Sequence, residues 1–328
     1  MIKLVAAGPG ISVQDAGRPG YMAQGLSRGG AMDPSALAEA AALLGVWGAA
    51  IEMLGGGMTI ELTQDGQIAL TGGVRRAVLN DQPLGWLAAH PVRAGDRVVI
   101  AAGDGAAYLS HRGGILTEPV LGSRSCHGTA GLGQPLSQGM TVPHGPASPS
   151  AAVGLPPRHL SGVVRVVAGP QTDDFDQETR DRFFGTTFRR SAKGNRQGVQ
   201  LEHAGAGFEA AGQLTRVSDF ITVGDIQLTG AGIPYVLMAE CQTIGGYPRI
   251  GTVIEQDLPL IVQAPVSAEL RFQMIALQEA EALWQSPAAL CRAYGRQVQP
   301  LLRDPAQMTD LLSYQLVSGF ITGDEEWL

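Results

Sequence analysis

Short runs of alternating apolar and polar residues recur along the chain. Residues 2–7 (IKLVAA) predict a strand that ends at Gly8-Pro9, and from residue 51 the period is again two. This alternation is typical of half-buried β-strands separated by glycine-rich or aspartate-containing turns. The further predicted strands are IEM, TIEL, QIALTG, AVLN, RVVIAA and AAYLSHRGGI. The pattern therefore predicts a mainly β protein.

Helical patterns occur in only a few segments. Asp33 and Pro34 predict the start of a helix, with Asp33 as N-cap and Pro34 in the first turn, and the helix is expected to stop at Gly45. Residues 273–284 have helical spacing, with apolar residues near one face. Residues 287–328 predict two further short helices and an acidic tail, which we expect to serve packing or binding to another protein chain.

Two pairs of segments predict an internal duplication. VVRVVAGPQTDDF at 163–175 echoes KLVAAGPGISVQD at 3–15, and the Gly-Pro pairs are 161 residues apart. IQLTGAGIPYVLM at 226–238 echoes IALTGGVRRAVLN at 68–80, at an offset of 158 residues. Because the two echoes occur in the same order at nearly equal offsets, they predict a repeated β unit.

A proline-rich segment separates the two predicted repeats. Residues 143–160 contain five prolines with much alanine, serine and glycine, which is a linker composition. We therefore predict an N-terminal β domain over 1–160 that includes this linker. A second β domain is predicted over 161–285 and a helical tail over 286–328.

Composition narrows the classes of function. The 328 residues include 45 glycines, 20 prolines and only 5 % aromatic residues, which suits a loop-rich β protein. The formal net charge is −7 and no basic stripe is present, so we do not expect nucleic acid as a partner. Cys126, Cys241 and Cys291 are far apart, which predicts reduced thiols in a cytoplasmic protein. No signal peptide or membrane-length apolar run occurs, so no membrane association is expected.

Common catalytic motifs are weak or missing. Residues 25–29 fit the G-x-S-x-G pattern of serine hydrolases, but neither a strand before Ser27 nor a helix directly after it is predicted, so we expect a loop serine. No phosphate-binding loop occurs, and neither Lys3 nor Lys193 follows a glycine-rich turn. The six histidines lack metal-ligand spacing, so no metal site is expected.

Four loops carry more polar groups than turns require. They span residues 14–21, 29–34, 121–125 and 240–248. Their arginine, amide, hydroxyl and phenol groups could polarise a carbonyl or hold a carboxylate. Alternatively, Asp15 and Asp33 cap turns, Arg124 pairs with an acid, and the glycines only turn the chain. Composition alone leaves both interpretations open.

Six ordered motifs resemble the biotin-dependent carboxyltransferase family. They are QDAGRPGY, GGAMDP, PVLGSRS, AGPQTDDF, GNRQGVQLE and ECQTIGGYPRIGTVI, within about residues 3–285. The family includes the carboxyltransferase region of urea carboxylase, the C-type subunit of 5-oxoprolinase, allophanate hydrolase subunit 2 and an antagonist of a sporulation-kinase inhibitor. The resemblance implies two tandem cyclophilin-like β-barrel domains with a few short helices. It also implies a B-type partner subunit.

The same resemblance implies a role as part of an enzyme. Together with A- and B-type subunits, the chain would open the lactam of 5-oxoproline to glutamate with ATP hydrolysis. ATP would not be held by a motif of this chain, and the chain alone would be inactive. One alternative is biotin-dependent carboxyl transfer to a urea-like substrate, with biotin carried by another protein. The other is a regulatory role without turnover, as partner of a B-type subunit.

The resemblance assigns expected roles to loop residues. The residues expected to bind and polarise a carbonyl are Arg124, Arg196, Gln242, Thr243 and Tyr247. Those expected to contact the substrate or organise its loops are Asp15, Arg18, Gly30, Asp33, Ser125, Gln171, Gly245 and Gly246. The Gly245-Gly246 turn is expected to let Gln242, Thr243 and Tyr247 converge on one pocket.

The sequence departs from the family pattern at two places. The family's Ser-Asp-Arg-Met-Gly is Gly-Asn-Arg-Gln-Gly at residues 194–198, so an acid is replaced by Asn195. In the last motif, an arginine of the family is replaced by Cys241. Both changes leave the substrate open.

Overall fold

β-Strands dominate the chain, as the alternating pattern predicts. A computed structural model describes residues 1–160, 162–210 and 217–301. The strands up to residue 160 are β1 (Ile2–Ala7), β2 (Ile11–Gln14), β3 (Ala50–Leu54), β4 (Met58–Leu62), β5 (Gly66–Gly72), β6 (Ala77–Leu79), β7 (Gln82–Leu84), β8 (Ala88–Val92), β9 (Arg97–Ile100), β10 (Ala106–His111), β11 (Thr141–Val142) and β12 (Val153–Gly154). Those that follow are β13 (Val164–Val167), β14 (Phe188–Gly194), β15 (Gly198–Glu202), β16 (Asp219–Phe220), β17 (Asp225–Leu228), β18 (Pro234–Leu237), β19 (Ile244–Gly245), β20 (Arg249–Val253), β21 (Glu269–Leu270), β22 (Phe272–Met274) and β23 (Gln299–Pro300).

The helices are short. They are α1 (Pro34–Leu44), α2 (Gln177–Gly185), α3 (Leu258–Val262), α4 (Leu277–Leu283) and α5 (Pro287–Gly295). The predicted ends of α1 are confirmed, because the Asp33 side chain accepts from the backbone N–H of Ser35 at 3.1 Å and Gly45 caps the other end with a φ of 72°. No helix in the described ranges is long and apolar enough to cross a membrane.

The strands of the N-terminal half, residues 1–160, form two sheets, one of which also includes β23 from the C-terminal part of the chain. One has the order β11-β1-β4-β9-β6-β7, and the other has the order β2-β3-β10-β5-β8-β12-β23. Within both sheets the paired strands are antiparallel. Their buried apolar side chains, among them Ile2, Ile60 and Leu109, form one core cluster. Burial of this cluster drives the two sheets together.

The C-terminal half, residues 162–285, contains one large sheet. Its strand order is β21-β14-β15-β18-β17-β20-β13-β22, and the pairing of β13 with β22 is parallel. The two edge strands, β21 and β22, are separated in sequence only by Arg271. The sheet therefore curls into a nearly closed barrel. Inside it, the ring centroids of Phe183 and Phe188 lie 4.8 Å apart, and Phe208 and Phe272 pack against both rings.

The two halves share a hydrophobic core. Met32, Leu37 and Tyr108 of the N-terminal half belong to the same buried cluster as the barrel residues Val166 and Phe272. Gln263 also crosses the boundary, because its amide donates to the carbonyl of Ala106 at 3.0 Å. The contact between the halves is therefore both apolar and hydrogen-bonded, and it positions the loops described below.

Two predictions from local pattern need correction. The helix predicted over 273–284 begins later, at Leu277, because Phe272–Met274 forms β22 beside β13 and buries Phe272. Part of the predicted linker joins a sheet, since Val153–Gly154 is β12 and pairs with β8. Arg158 of the same segment binds carboxylates of the N-terminal half. Contacts with other parts of the fold therefore determine the structure of both segments.

Both predicted echoes coincide with strands in the two halves, but the surroundings of those strands differ. β1 and β13 both precede a Gly-Pro pair, but β2 follows the first pair whereas a 3-10 turn, Thr172–Asp174, follows the second. β17 and β18 pair with each other, whereas β5 and β6 lie in different sheets. In the predicted tail, α5 accounts for one of the two expected helices and β23 pairs with β12. The remainder of that prediction, residues 302–328, lies outside the described residues.

Candidate functional site

The two halves meet at a buried charged network centred on Arg196. Its guanidinium donates to the carboxylates of Glu52 and Glu240 and, at 2.5 Å, to the carbonyl oxygen of Gly30. Arg196 lies in the turn between β14 and β15, Glu52 lies in β3, and Glu240 follows β18. Burial alone would lower the pKa of Arg196, but the two carboxylates raise it above its ordinary value. Arg196 is therefore held in its ionised form.

A chain of hydrogen bonds links Glu52 to the start of α1. Glu52 accepts from the hydroxyl of Tyr108 at 2.7 Å, and that hydroxyl accepts from the backbone N–H of Asp33 at 2.8 Å. The Asp33 carboxylate accepts from Arg158 at 2.5 Å and from the amide of Gln263 at 2.8 Å. Asp33 thus caps α1 while joining three separate segments, and its side chain is fully buried.

Glu39 extends this network along α1. Its carboxylate lies 2.6 Å from the Nε of Arg158 and accepts from the backbone N–H of Gly72 at 3.2 Å. Burial raises the pKa of Glu39 to about 7, with the nearby charge of Asp33 adding to the shift and Arg158 opposing it. Burial therefore favours the protonated form of Glu39 more than that of an exposed glutamate.

A second line of contacts runs from Glu240 through His127 to Ser27. The Oγ of Ser27 lies 2.9 Å from the Nε2 of His127, whereas the Nδ1 of His127 lies 3.7 Å from Glu240, too far for a hydrogen bond. Nδ1 instead accepts the backbone N–H of Ala130 at 3.2 Å, and this N–H is shared with the carbonyl of His127, also at 3.2 Å. We therefore assign the proton of the neutral ring to Nε2, which donates to Ser27. Burial lowers the pKa of His127; Glu240 opposes this shift and Arg18 adds to it.

A cavity of about 1060 Å³ adjoins these contacts. Its wall combines Arg18, Ser27 and Gly29 from the N-terminal half with Ala239 and Cys241 from the barrel. Residues of α5 complete its rim. The volume lies at the upper end of the range for small-molecule sites, and such sites commonly lie between packed units.

Asp15 organises two of the predicted loops. Its carboxylate accepts from the hydroxyls of Ser123 and Ser125, at 2.6 and 2.5 Å, and from the backbone N–H of Arg124 at 2.7 Å. Burial alone would raise the pKa of Asp15, but these hydrogen bonds lower it below its usual range. Arg124 lines a separate cavity of about 240 Å³. Arg124 is therefore not brought together with Arg196.

Arg18 and Gly30 lie closer to the network. Arg18 is 1 % exposed, and it donates through Nε to the carbonyl of Val120 at 3.3 Å and through Nη2 to the carbonyl of Ser125. Gly30 has a φ of 87°, and a Cβ there would lie 2.8 Å from the backbone nitrogen of Gly17. Only glycine fits this position, where the carbonyl must face Arg196.

The predicted residues of the 240–248 loop do not converge on one pocket. Gln242 and Tyr247 are exposed, whereas Thr243 is buried. Gly245 and Gly246 are half-buried, and Gly245 belongs to the two-residue strand β19. The structure therefore leaves two of these three polar side chains facing outward.

Two further residues singled out from the sequence, Cys241 and Gln171, are not part of the Arg196 network. Cys241 is buried against the cavity, and burial raises the pKa of its thiol to about 12. Gln171 accepts from the backbone N–H of Arg249 at 3.1 Å and from its Nε at 3.2 Å. Arg249 in turn binds Asp219 at 2.6 Å and Asp225 at 3.2 Å. Gln171 thus supports a second ion network within the C-terminal half, apart from Arg196.

Several residues of the central network and its extensions had no role predicted from the sequence. They are Ser27, Glu39, Glu52, Tyr108, His127, Arg158, Glu240 and Gln263. Glu52 could have been noticed from the sequence, because it is a carboxylate between two apolar residues, Ile51 and Met53, within a strand. All three side chains are buried. Among the described residues, no group of three or more His, Cys, Asp or Glu side chains could hold a metal ion.

Solved structures with a similar fold include two larger proteins. TTHA0988 matches with a TM-score of 0.72 and 26 % identity over 83 % of this chain, which spans 55 % of that chain. The urea amidolyase of K. lactis matches with a TM-score of 0.78 and 24 % identity over 93 % of this chain, which spans 21 % of that chain. The latter likeness concerns the fold alone.

Sequence comparisons identify relatives of similar length. The chain is 34 % identical to the C-type subunit of 5-oxoprolinase from Escherichia coli, over 85 % of this chain and 93 % of that protein. It is 29 % identical to the C-type subunit of 5-oxoprolinase from Haemophilus influenzae, over 86 % of this chain and 94 % of that protein. Residues 24–274 match the family model described as carboxyltransferase domain, subdomain A and B. Because that match covers most of the sequence, this chain belongs to the carboxyltransferase domain A and B family.

Proposed function

We propose that this chain is the C-type subunit of an ATP-dependent 5-oxoprolinase that, with A- and B-type subunits, opens the lactam of 5-oxoproline to glutamate. The observation that carries the proposal is the similarity to the C-type subunit of 5-oxoprolinase from Escherichia coli, because it extends over 93 % of that protein. Nearly the whole of that relative therefore aligns with this chain. The proposed substrate is a small cyclic amide that also bears a carboxylate.

The cavity between the halves supports a small substrate of this kind. One part of its wall carries Arg18 and Ser27, and another part carries apolar groups such as Ile221 and Met238. The polar part is held in place because Ser27 is hydrogen-bonded to His127 and because Arg196 fixes the adjoining loop through the carbonyl of Gly30. Polar groups fixed in this way need little reorganisation when a carbonyl or carboxylate binds.

Two features favour placing the nucleoside triphosphate on a partner protein rather than in this cavity. The Gly29-Gly30 turn leads into α1, but the Asp33 carboxylate already occupies that helix N-terminus, where a phosphate would otherwise bind. Lys3 and Lys193 are exposed, and neither lines the cavity. We therefore assign ATP to a partner protein and route no step of its chemistry through this chain.

The test is reconstitution. The chain, an A-type subunit and a B-type subunit are assayed singly, in pairs and together for glutamate formed and phosphate released in the presence of 5-oxoproline. We expect turnover only from the assembled mixture. Arg196→Met should abolish this turnover, whereas the matched control Arg189→Met, which removes an exposed arginine 3.6 Å from Glu269, should retain it. Turnover by this chain alone at the rate of the mixture would contradict the proposal.

Carboxyl transfer to a urea-like substrate is the second candidate, because the family model is described as a carboxyltransferase domain. Biotin would then be carried by another protein and would enter the same cavity. The discriminating assay supplies carboxylated biotin and urea to the chain with its B-type partner and measures transfer of the carboxyl group. Transfer in this assay, with no opening of 5-oxoproline, would favour the second candidate. Tight binding to the partner without either activity would favour a regulatory role.

A further inference from the structure

Arg18 carries a buried positive charge that no carboxylate neutralises within the described residues. Its side chain is 1 % exposed, and the two hydrogen bonds it makes go to the backbone carbonyls of Val120 and Ser125. The third nitrogen, Nη1, is buried and has no hydrogen-bond partner there. Burying a guanidinium without a counter-charge is costly, because the lost hydration is not replaced.

A comparison with Arg75 shows that Arg18 is unusual within this molecule. Arg75 is also buried, yet its Nη1 donates to the carbonyl of Gly56 at 2.7 Å and its Nη2 to those of Met53 and Gly105, both at 3.0 Å. Both terminal nitrogens of Arg75 are thus occupied, and only its Nε is buried without a partner among the described residues. Arg18 leaves a whole terminal NH₂ group free, and Arg18 lines the large cavity.

Ser27 presents a second donor on the same wall. Because Ala130 donates to the Nδ1 of His127, the Nε2 proton of the imidazole points at the Oγ of Ser27. The Ser27 hydroxyl therefore acts as acceptor toward His127 and keeps its own proton for another acceptor. In this tautomer the Ser27 hydroxyl donates to a ligand rather than to the imidazole.

Gly29 lies beside Arg18 and beside the His127 ring that binds Ser27. It lines the same cavity, and a Cβ at this position would lie 3.6 Å from the Nη1 of Arg18 and 3.0 Å from the imidazole of His127. A side chain at residue 29 would press on the imidazole and lie in contact with Arg18, and the φ of 63° itself favours glycine. Glycine therefore keeps the wall open where Arg18 and the Ser27–His127 pair adjoin.

We propose that Arg18 and Ser27 form a subsite that binds the carboxylate of a small ligand. The guanidinium supplies the charge and a free NH₂ group, and the serine hydroxyl supplies one directed hydrogen bond. This inference rests on the proposed function, since 5-oxoproline carries one carboxylate beside its lactam. It adds that this chain recognises the carboxylate, which leaves the lactam carbonyl free to face the partner protein that holds ATP.

The experiment compares two ligands that differ only in the carboxylate. Binding of 5-oxoproline and of 2-pyrrolidone, the same lactam without the carboxylate, is measured by calorimetry on the assembled complex and on the full chain. Arg18→Gln should weaken 5-oxoproline binding by about tenfold or more, as expected for loss of a charged hydrogen bond, and leave 2-pyrrolidone binding unchanged. Ser27→Ala should weaken 5-oxoproline binding by about threefold. Arg189→Gln, the exposed control, should change neither.

The outcomes separate this inference from the proposed function. Equal losses for both lactams, or no loss for either, in Arg18→Gln would overturn the subsite. If Arg18→Gln does not fold, Arg18→Lys keeps the charge without the planar fork and should retain part of the preference for the carboxylate. If no mixture opens 5-oxoproline, acetate and succinate are used as probes in thermal unfolding. If acetate and succinate stabilise the wild type but not Arg18→Gln, the subsite is supported although the proposed function has failed. If they do not stabilise the wild type, both the subsite and the proposed function are overturned.

Discussion

Acidification should destabilise this protein by forcing a proton onto His111. His111 lies at the end of β10, is 1 % exposed, and stacks on His144 with ring centroids 3.7 Å apart. Burial, and then the nearby charge of His144, lower the pKa of His111 from 6.5 to about 4. The difference between 6.5 and about 4 corresponds to about 3 kcal/mol. Because the folded pKa is the lower one, this stability is fully present above the unfolded pKa and is lost as the pH falls from about 6.5 towards 4.

The assay is urea unfolding of the wild type and of His111→Asn at several values between about pH 7 and pH 4. Asparagine can still accept the backbone N–H of Gly113, which the Nδ1 of His111 accepts at 3.0 Å, but it does not titrate. The free energy of unfolding of the wild type should therefore fall by about 3 kcal/mol more than that of His111→Asn. His159→Asn, at an exposed histidine, should follow the wild type. Parallel curves for the wild type and His111→Asn would refute the reasoning.

The other predictions concern the network and the loops. Arg196→Met leaves two carboxylates buried without their cation, so the free energy of unfolding should fall by about 3–5 kcal/mol. The exposed control Arg189→Met should lose less than about 1 kcal/mol. Equal losses of the two variants in urea unfolding would contradict this prediction. Ser27→Ala should keep turnover of the assembled complex within about threefold, whereas loss of a nucleophile costs several orders of magnitude. Gln242 and Tyr247 are exposed and do not line the cavity, so Gln242→Ala and Tyr247→Phe should each leave that turnover near the wild-type value, whereas a loss of about tenfold or more would place substrate at this loop. Full turnover by both variants would mean that the loop only turns the chain.

Features set by neighbouring residues in the sequence could be predicted. The start and end of α1 follow from Asp33, Pro34 and Gly45, whose effects act within one helical turn. The strands of the N-terminal half follow from alternating apolar and polar positions, whose period of two is visible in the sequence itself. The mainly β fold with a few short helices is therefore accessible from the sequence.

The site could not be predicted in the same way, because its contacts join distant parts of the chain. Arg196 and Glu52 are 144 residues apart, and Ser27 and His127 are 100 residues apart. No local pattern places one beside the other, since their meeting depends on how the halves pack. The same cause explains the strand at Phe272–Met274, where pairing with β13 outweighs a helical spacing.

The core cluster shared by the two halves has a consequence for how the protein unfolds. Met32, Leu37 and Tyr108 lose their apolar surroundings if the barrel opens, and Arg196 then leaves the carboxylate of Glu52 without its cation. Neither half can melt first without exposing the other's interior. A chain that looks duplicated in sequence should therefore give a single calorimetric transition, with van't Hoff and calorimetric enthalpies that agree.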